Sequence, residues 1–409
     1  MKSYKRKHSF SHMSKSRTGT WLAWILGAIG VLIIAIPALL MYLRTTAKSL
    51  HPDPSEIPSE MQSRNLPASW ASAITRGQQI VRTGASEGKL PGISVAVGSG
   101  GSIVWAEGFG FANIEANAPV TPEHRFRIGT ASQVLTSAAA GLLLEEGRLN
   151  LDDPIQTYVP EFPRKQWPVT LRHVMAQTSG VRYDGGDDSP LLAPRCEGPR
   201  DAVPIFAQFP LVSEPGTRRR NSCLNWVLAS AAIEAAAKKP FLTVMRERVF
   251  DPLGMQDTLS GVAKSPIPNR ATFYFPRFAA DPTYGLHLME DFDFSCYAGS
   301  AIFLSTPSDL VRFAMAVQNG KLLRPATVQL LQTPSGKPED YGLGWDLNTI
   351  TLGGGRQARV VGLNGDIMGG MVASLLTLPG QGISVAVITN IAYADTFSMA
   401  TKIAQAFAK

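Results

Sequence analysis

The chain has 409 residues, 44% hydrophobic and 17% charged, which suffices for one large domain or two moderate ones with a substantial core. The formal net charge is +7, but Lys2, Lys5, Arg6, Lys7, Lys15 and Arg17 fall in the first twenty residues with no acid among them. The rest of the chain therefore carries only +1, so the basic balance marks a tail and gives no argument for nucleic-acid binding.

Residues 1–20 read as a basic cytoplasmic tail. The stretch WLAWILGAIGVLIIAIPALLMYL, Trp21–Leu43, has no charged residue and is long enough to cross a hydrocarbon core of about 30 Å. Trp21, Trp24 and Tyr42 lie near its ends, as interfacial aromatics do, and Pro37 is tolerated in such a helix. The basic excess precedes the span. That predicts a single-pass anchor in a bacterial inner membrane, with the N-terminus cytoplasmic and the remainder periplasmic or extracellular. A cleaved signal peptide is the alternative, but the span is long for one and the Thr-Thr-Ala before Lys48 is a weak cleavage site.

Residues 44–67 read as a linker, because HPDPSEIPSEMQSRNLP is rich in Pro, Ser and Glu, and ordered structure is expected from Ala68. GISVAVGSGGSIVWAEGFGFA then places two apolar runs around a Gly-rich turn, a hairpin signal. FRIGTASQVLTSAAAGLLLEEGRL, residues 126–149, is a polar turn feeding an apolar helix. NWVLASAAIEAAAKKPFLTVMRERVF and TPSDLVRFAMAVQNGKL carry helical spacing, the second with a Thr entry and a Gly exit. MVASLLTLPGQGISVAVITN predicts a second hairpin, and YADTFSMATKIAQAFA a closing amphipathic helix. Strands at both ends with helices between predict an α+β domain over residues 68–409. Its antiparallel sheet is expected from about 68–125 and 341–409, and its helical part from about 126–340.

Three cysteines, Cys196, Cys223 and Cys296, cannot form a full disulfide framework; one pair or three structural thiols are both open. The six histidines form no metal-binding spacing, and GGDDSP, residues 185–190, reads as a loop rather than a calcium site, so no metal or other cofactor is expected.

Several segments in order resemble the serine beta-lactamase-like and penicillin-binding-protein-like family, on its class C side. They include PGISVAVGSGGSIVWAEGFG, FRIGTASQ, LLLEEGRLNLDDPI, TLRHVMAQTSGV, EPGTR, FDPLGMQDT, LSTPSDLVRFAMAVQNG, YGLGW and VGLNGDIMGG. YVPEFPRKQWP, TSGVRY and NRATFYF are most similar to the LACTB-type branch and its bacterial relatives. The resemblance covers about residues 68–409. It implies an antiparallel sheet flanked by helices beside a helical subdomain, with an active site between them.

It also implies three catalytic motifs: Ser-x-x-Lys at a helix entrance, a Tyr loop, and Lys-Thr-Gly or His-Thr-Gly on a strand. The first falls on Thr130 and Gln133, the second on Asn221, Ser222 and Cys223, and the third on Leu363, Asn364 and Gly365. The Ser, both proton-handling residues and the basic group of the third motif are replaced. An oxyanion hole would use the N–H groups of Thr130 and Asp366, and an inward Asp366 carboxylate would oppose it. Thr-x-x-Gln is also a capping box, in which the Thr hydroxyl accepts from the N–H three residues on and Gln reaches back. Gln has no useful basicity near neutral pH, which favours the cap. Ser132 is expected to face the core. Ser222 keeps a hydroxyl without an obvious base, and Cys223 lacks a nearby His. The run Arg218–Arg219–Arg220 is either a solvated face or a contact for an anionic ligand at the cleft rim, with Arg218 the candidate binding residue.

These residues point to a membrane-anchored pseudoenzyme whose cleft binds a peptide, a peptidoglycan fragment or a protein partner. The alternatives are a slow carboxypeptidase, esterase or amidase using Thr130 or Ser222, and a self-associating homo-oligomeric scaffold at the membrane.

Overall fold

In the computed structural model, residues 17–47, 50–62, 68–185, 189–192, 194–262, 266–289, 292–336 and 339–408 are described. Helix α1, Arg17–Thr46, lies in a unit separate from the rest of the chain, and residues 1–16 of the basic tail lie outside the described residues. Its segment Trp24–Thr46 is long and apolar enough to cross a membrane, and none of it is buried in protein.

The second unit, Ser49–Lys409, is built on an antiparallel sheet. Its strands are β1 Ser59–Met61, β2 Gly92–Ser99, β3 Ser102–Asn113, β4 Asp346–Thr351, β5 Gln357–Ile367, β6 Gly370–Leu378 and β7 Ile383–Thr389, in the order β1-β3-β2-β7-β6-β5-β4. A two-residue strand, Ala118–Pro119, adds to β3. Both hairpins expected from the sequence are present, and they join at the centre, where Val95 pairs with Val387. The central strands are apolar on both faces because both are covered. Ile93, Val95 and Val97 face a core shared with Trp105, Phe109 and Phe407; Ala96 and Ala106 face the other.

Helix α2, Ala71–Glu87, and the C-terminal α6, Thr396–Phe407, cover the first face. Helix α5, Pro307–Gln318, covers the other; Thr306 caps it through the Asp309 N–H, as the Thr entry predicts. The helical part contributes α3, Ser132–Glu145, and α4, Cys223–Ala237, which pack together. Almost all of α3 is buried, its Ser, Gln and Thr side chains included, so it is a core helix rather than an amphipathic one. The longer helix expected after Asn225 stops at Ala237, where Lys238 is left-handed and Pro240 follows.

Order begins earlier than the composition of residues 44–67 suggests. His51 and Ile57 are each 3% exposed, Asp53 caps a turn at Pro54–Glu56, and β1 pairs with β3 from Ser59↔Phe109 to Met61↔Glu107. Arg82 on α2 donates to the Ile57 carbonyl at 2.7 Å. One buried aliphatic residue and one arginine fix a segment whose composition alone reads as a linker; residues 63–67 lie outside the described residues.

Candidate functional site

Strand β4 stops pairing with β5 at Asp346↔Gly362, so the C-terminal half of β5 is open on that side. The turn before α3 fills this gap. Residues Gly129–Ala131 form a single 3₁₀ turn, and Gly129 has φ +52°. A Cβ at Gly129 would stand 2.2 Å from the Asp366 carbonyl oxygen, and one at Gly365 would stand 2.0 Å from that of Ile128. Both glycines are therefore required by backbone touching backbone. The register of β5 shifts between Gly365 and Asp366, a bulge that turns the strand at this contact.

Thr130 bridges the two segments. Its hydroxyl accepts from the Asp366 N–H at 2.9 Å and donates to the Asn364 carbonyl at 3.3 Å. It acts as one rung of a strand ladder. This corrects the capping-box expectation: α3 has no side-chain cap, and Gln133 donates to Ser300 Oγ at 3.4 Å instead of reaching back. In this 3₁₀ turn the Ala131 and Ser132 N–H groups already donate to the carbonyls of Ile128 and Gly129, while the open edge of β5 offers Thr130 both a donor and an acceptor. Ser132 faces the core as expected, donating to the Gly129 carbonyl at 2.8 Å.

Thr130, Gln133, Asn221, Ser222, Leu363, Asn364 and Asp366 come together around one cleft of about 440 Å³. Ser222 caps α4: its hydroxyl accepts from the Leu224 N–H and donates to the Arg182 carbonyl at 2.8 Å. Gln177 holds this corner, its Oε1 accepting from the Ser222 N–H at 3.0 Å and from Asn225 Nδ2 at 2.6 Å. The Asn364 side chain accepts from Ser374 Oγ at 2.7 Å.

Two of the expected binding residues lie elsewhere. Gly365 is packed beneath the Thr130 turn. Arg218 is exposed and does not line the cleft; its neighbour Arg219 does. Arg219 Nη1 meets Asp340 Oδ1 at 2.7 Å, and the guanidinium lies 5.2 Å from the centre of the Tyr341 ring. The extended run after Gly216 alternates its side chains, so only the middle arginine faces inward.

A model of the beta-lactamase family matches residues 77–408. The chain belongs to that family. It is 25% identical to the human mitochondrial serine beta-lactamase-like protein LACTB, over 83% of this chain and 80% of that protein. Among solved structures, the D-amino acid amidase of Ochrobactrum anthropi SV3, complexed with L-phenylalanine amide, aligns with a TM-score of 0.70 at 24% identity. That alignment covers 82% of this chain and 98% of that one. An octameric penicillin-binding protein homologue from Pyrococcus abyssi aligns with a TM-score of 0.67 at 23% identity, over 80% and 76% of the two chains.

The ionisable groups of the cleft are mostly acidic. Among the described residues no Lys or His lines it, and Arg219 is its single cation. Four aspartates line it: Asp184, Asp340, Asp346 and Asp366. Burial pushes the Asp346 carboxyl up to about 6, against the pull of the Asn364 N–H and Arg219, and nearby Asp340 and Asp366 add to the rise. Burial also raises Asp366, and it raises Asp184 despite hydrogen bonds from its own and the Cys223 backbone and from the Cys223 thiol and Tyr297. The Cys223 thiol is held well above its ordinary range by burial first and by the charge of Asp184 next, so it stays protonated and is a poor nucleophile.

Sequence reasoning missed Asp184, Asp340, Tyr341 and Asp346, and of the arginine run it singled out Arg218 rather than Arg219. The signal for three of them was the segment EDYGLGWD, which clusters acids and aromatics just before a strand. Only the pairing of Asp346 with Gly362 shows that this strand start stands beside Leu363.

Cys196 and Cys296 form a disulfide across 100 residues, resolving the question of one pair or three thiols. Cys296 precedes Tyr297, a cleft-lining residue, so the bridge secures that wall.

Proposed function

We propose that this beta-lactamase-family protein is a membrane-anchored, exported binding protein that has lost the family's acyl-transfer chemistry. The observation that carries the reading is the state of the Thr130 hydroxyl. It is held between the Asn364 carbonyl and the Asp366 N–H, and among the described residues no Lys or His lines the cleft to take its proton. The Asp366 N–H, which would serve an oxyanion, is already engaged, and the Asp366 carboxylate lines the same space. Leu363 brings an apolar side chain to the position of the third motif's basic group. The ligand is a peptide, a cell-wall fragment or a protein segment that fits a cleft of this size. Helix α1 supplies the anchor, and the Cys196–Cys296 disulfide supports an oxidising compartment for the domain.

The test is intact-mass spectrometry on the full-length chain in detergent, incubated with a penicillin and with a fluorophosphonate beside an active family member. The expected result is no adduct. A stoichiometric adduct mapping to Thr130 would overturn the reading.

One observation favours the slow-hydrolase alternative. Asp346, at about 6, titrates in the range of a useful general base and lines the same cleft as Thr130. In that case turnover of an ester or amide would disappear in both Thr130→Val and Asp346→Asn. Ser222 is the weaker candidate, because its hydroxyl is already used in capping α4.

A further inference from the structure

The polypeptide passes from Thr46, the last residue of α1, to His51 in five residues. At no more than about 3.6 Å per residue, that stretch spans at most about 18 Å. His51 is fixed in the domain. Its carbonyl accepts from Ser86 Oγ at 2.8 Å, its Nε2 lies 3.2 Å from the Pro91 carbonyl oxygen, and its ring stacks on Phe111 at 5.7 Å. The end of the domain around His51 is therefore tethered close to whatever surface α1 enters.

A small hairpin, Tyr274–Pro276 paired with Leu286–Leu288, stands at this end. The Phe111 carbonyl accepts from Asn390 Nδ2 at 3.0 Å, and the Asn390 carbonyl accepts from the Tyr274 N–H at 2.8 Å. In the hairpin's turn, Asp281, Pro282 and Thr283 share a groove of about 790 Å³ with Glu87, Gly88 and Leu90, the neighbours of Ser86 and Pro91.

The hairpin turns apolar side chains to solvent. Leu288 is 58% exposed, the most of any large hydrophobic residue among the described residues of the domain, and Phe278 is 47% exposed. Ala279 and Ala280 are exposed too. Both are left-handed, with φ +57° and +53°, a conformation that residues with a Cβ avoid. Such strain is kept where a contact requires the shape, and packing inside the domain supplies no such contact for two exposed alanines. Arg277 is exposed beside Phe278 and makes no ion pair among the described residues; the nearby Asp281 carboxylate is turned onto the Thr283 N–H at 2.8 Å. Apolar side chains next to a guanidinium suit the boundary of a phospholipid bilayer, where the former enter the acyl region and the latter meets lipid phosphates.

We infer that the turn Arg277–Ala280, with Leu288, docks on the phospholipid surface of the membrane that holds α1. It is a second membrane contact, which limits how the domain can turn on its tether. This rests on the reading of α1 as a membrane anchor.

Photo-crosslinking of the full-length chain in phospholipid nanodiscs tests it. Benzoylphenylalanine replaces one residue at a time: Phe278 and Leu288 in the hairpin, Val212 and Leu330 as exposed apolar controls elsewhere, and Ile29 inside α1. After irradiation, intact-mass spectrometry reads the fraction of chain carrying one added lipid mass. The hairpin positions should give an adduct at least about fivefold above Val212 and Leu330. Two hairpin positions are used so that a folding failure in one leaves the other to decide. The inference is overturned if neither exceeds the controls while Ile29 is crosslinked to lipid. Absence of a lipid adduct at Ile29 would instead remove the anchor, and the inference with it.

Discussion

The Thr130 hydroxyl and the Asp366 N–H are joined at 2.9 Å, and this contact ties the entrance of α3 to the open half of β5. The same hydroxyl gives its proton to Asn364, so one side chain satisfies a donor and an acceptor of the strand. Thr130→Val keeps the shape and removes both bonds. It should cost about 1–3 kcal/mol in denaturant unfolding, because it strands a half-buried N–H, whereas Thr130→Ser should stay within about 1 kcal/mol. Equal stability of the Val variant would show that the bridge is dispensable.

Gly365 offers a steeper test of the same junction. Its missing Cβ would stand 2.0 Å from the Ile128 carbonyl oxygen and 2.9 Å from the Ala131 Cβ. Gly365→Ala must push the strand off the turn and should cost more than about 3 kcal/mol or prevent folding. Gly380 has nothing within 4 Å, so Gly380→Ala should be nearly silent. Comparable unfolding midpoints for the two variants would contradict the close approach described.

The pH dependence of stability should carry a mark from Asp346. Its carboxyl titrates at about 6 in the folded chain, above the ordinary 3.8, so the folded state holds the proton more firmly than the unfolded one. The stability this provides is fully present below about pH 4 and is lost as pH rises through about 6. Asp346→Asn removes that loss. It should therefore be more stable than wild type by roughly 1–3 kcal/mol at pH 8 and nearly equal at pH 4. A constant difference across that range would mean that Asp346 titrates normally.

Thiol chemistry separates the three cysteines. Without reductant, the denatured chain should show one reactive thiol, Cys223, and with reductant three. In the native chain at pH 8 Cys223 should react slowly, because its thiol remains protonated. Replacing Cys196 and Cys296 by Ser should cost about 2–5 kcal/mol, since the bridge closes a long loop. Three thiols in the unreduced denatured protein would exclude the bridge.

The sequence carried the elements whose signal is local. The runs ISVAV and SVAVIT announce strands by β-branched content, and Thr306 announces α5 by its cap. The motif positions were legible too, and all of them but Gly365 meet at one cleft. What was not legible depends on contacts between distant segments. Whether Thr130 caps its own helix or bridges to a strand is decided by where β4 ends, which no local pattern records. Arg219 rather than Arg218 faces inward because of the phase of an extended segment anchored by Gln177, whose carbonyl accepts from the Arg220 N–H. Asp346 looks like any strand-edge acid until β5 is placed beside it.

The pairing of β2 with β7 also sets a timetable. Val95 and Ile93 find their partners in Val387 and Thr389, almost at the end of the chain. During synthesis, β2 and β3 can form a hairpin early, but the sheet cannot close until the last strand has left the ribosome. Until β7 is made, the sheet lacks its central pairing, so the residues between β3 and β7 have no completed frame to pack against.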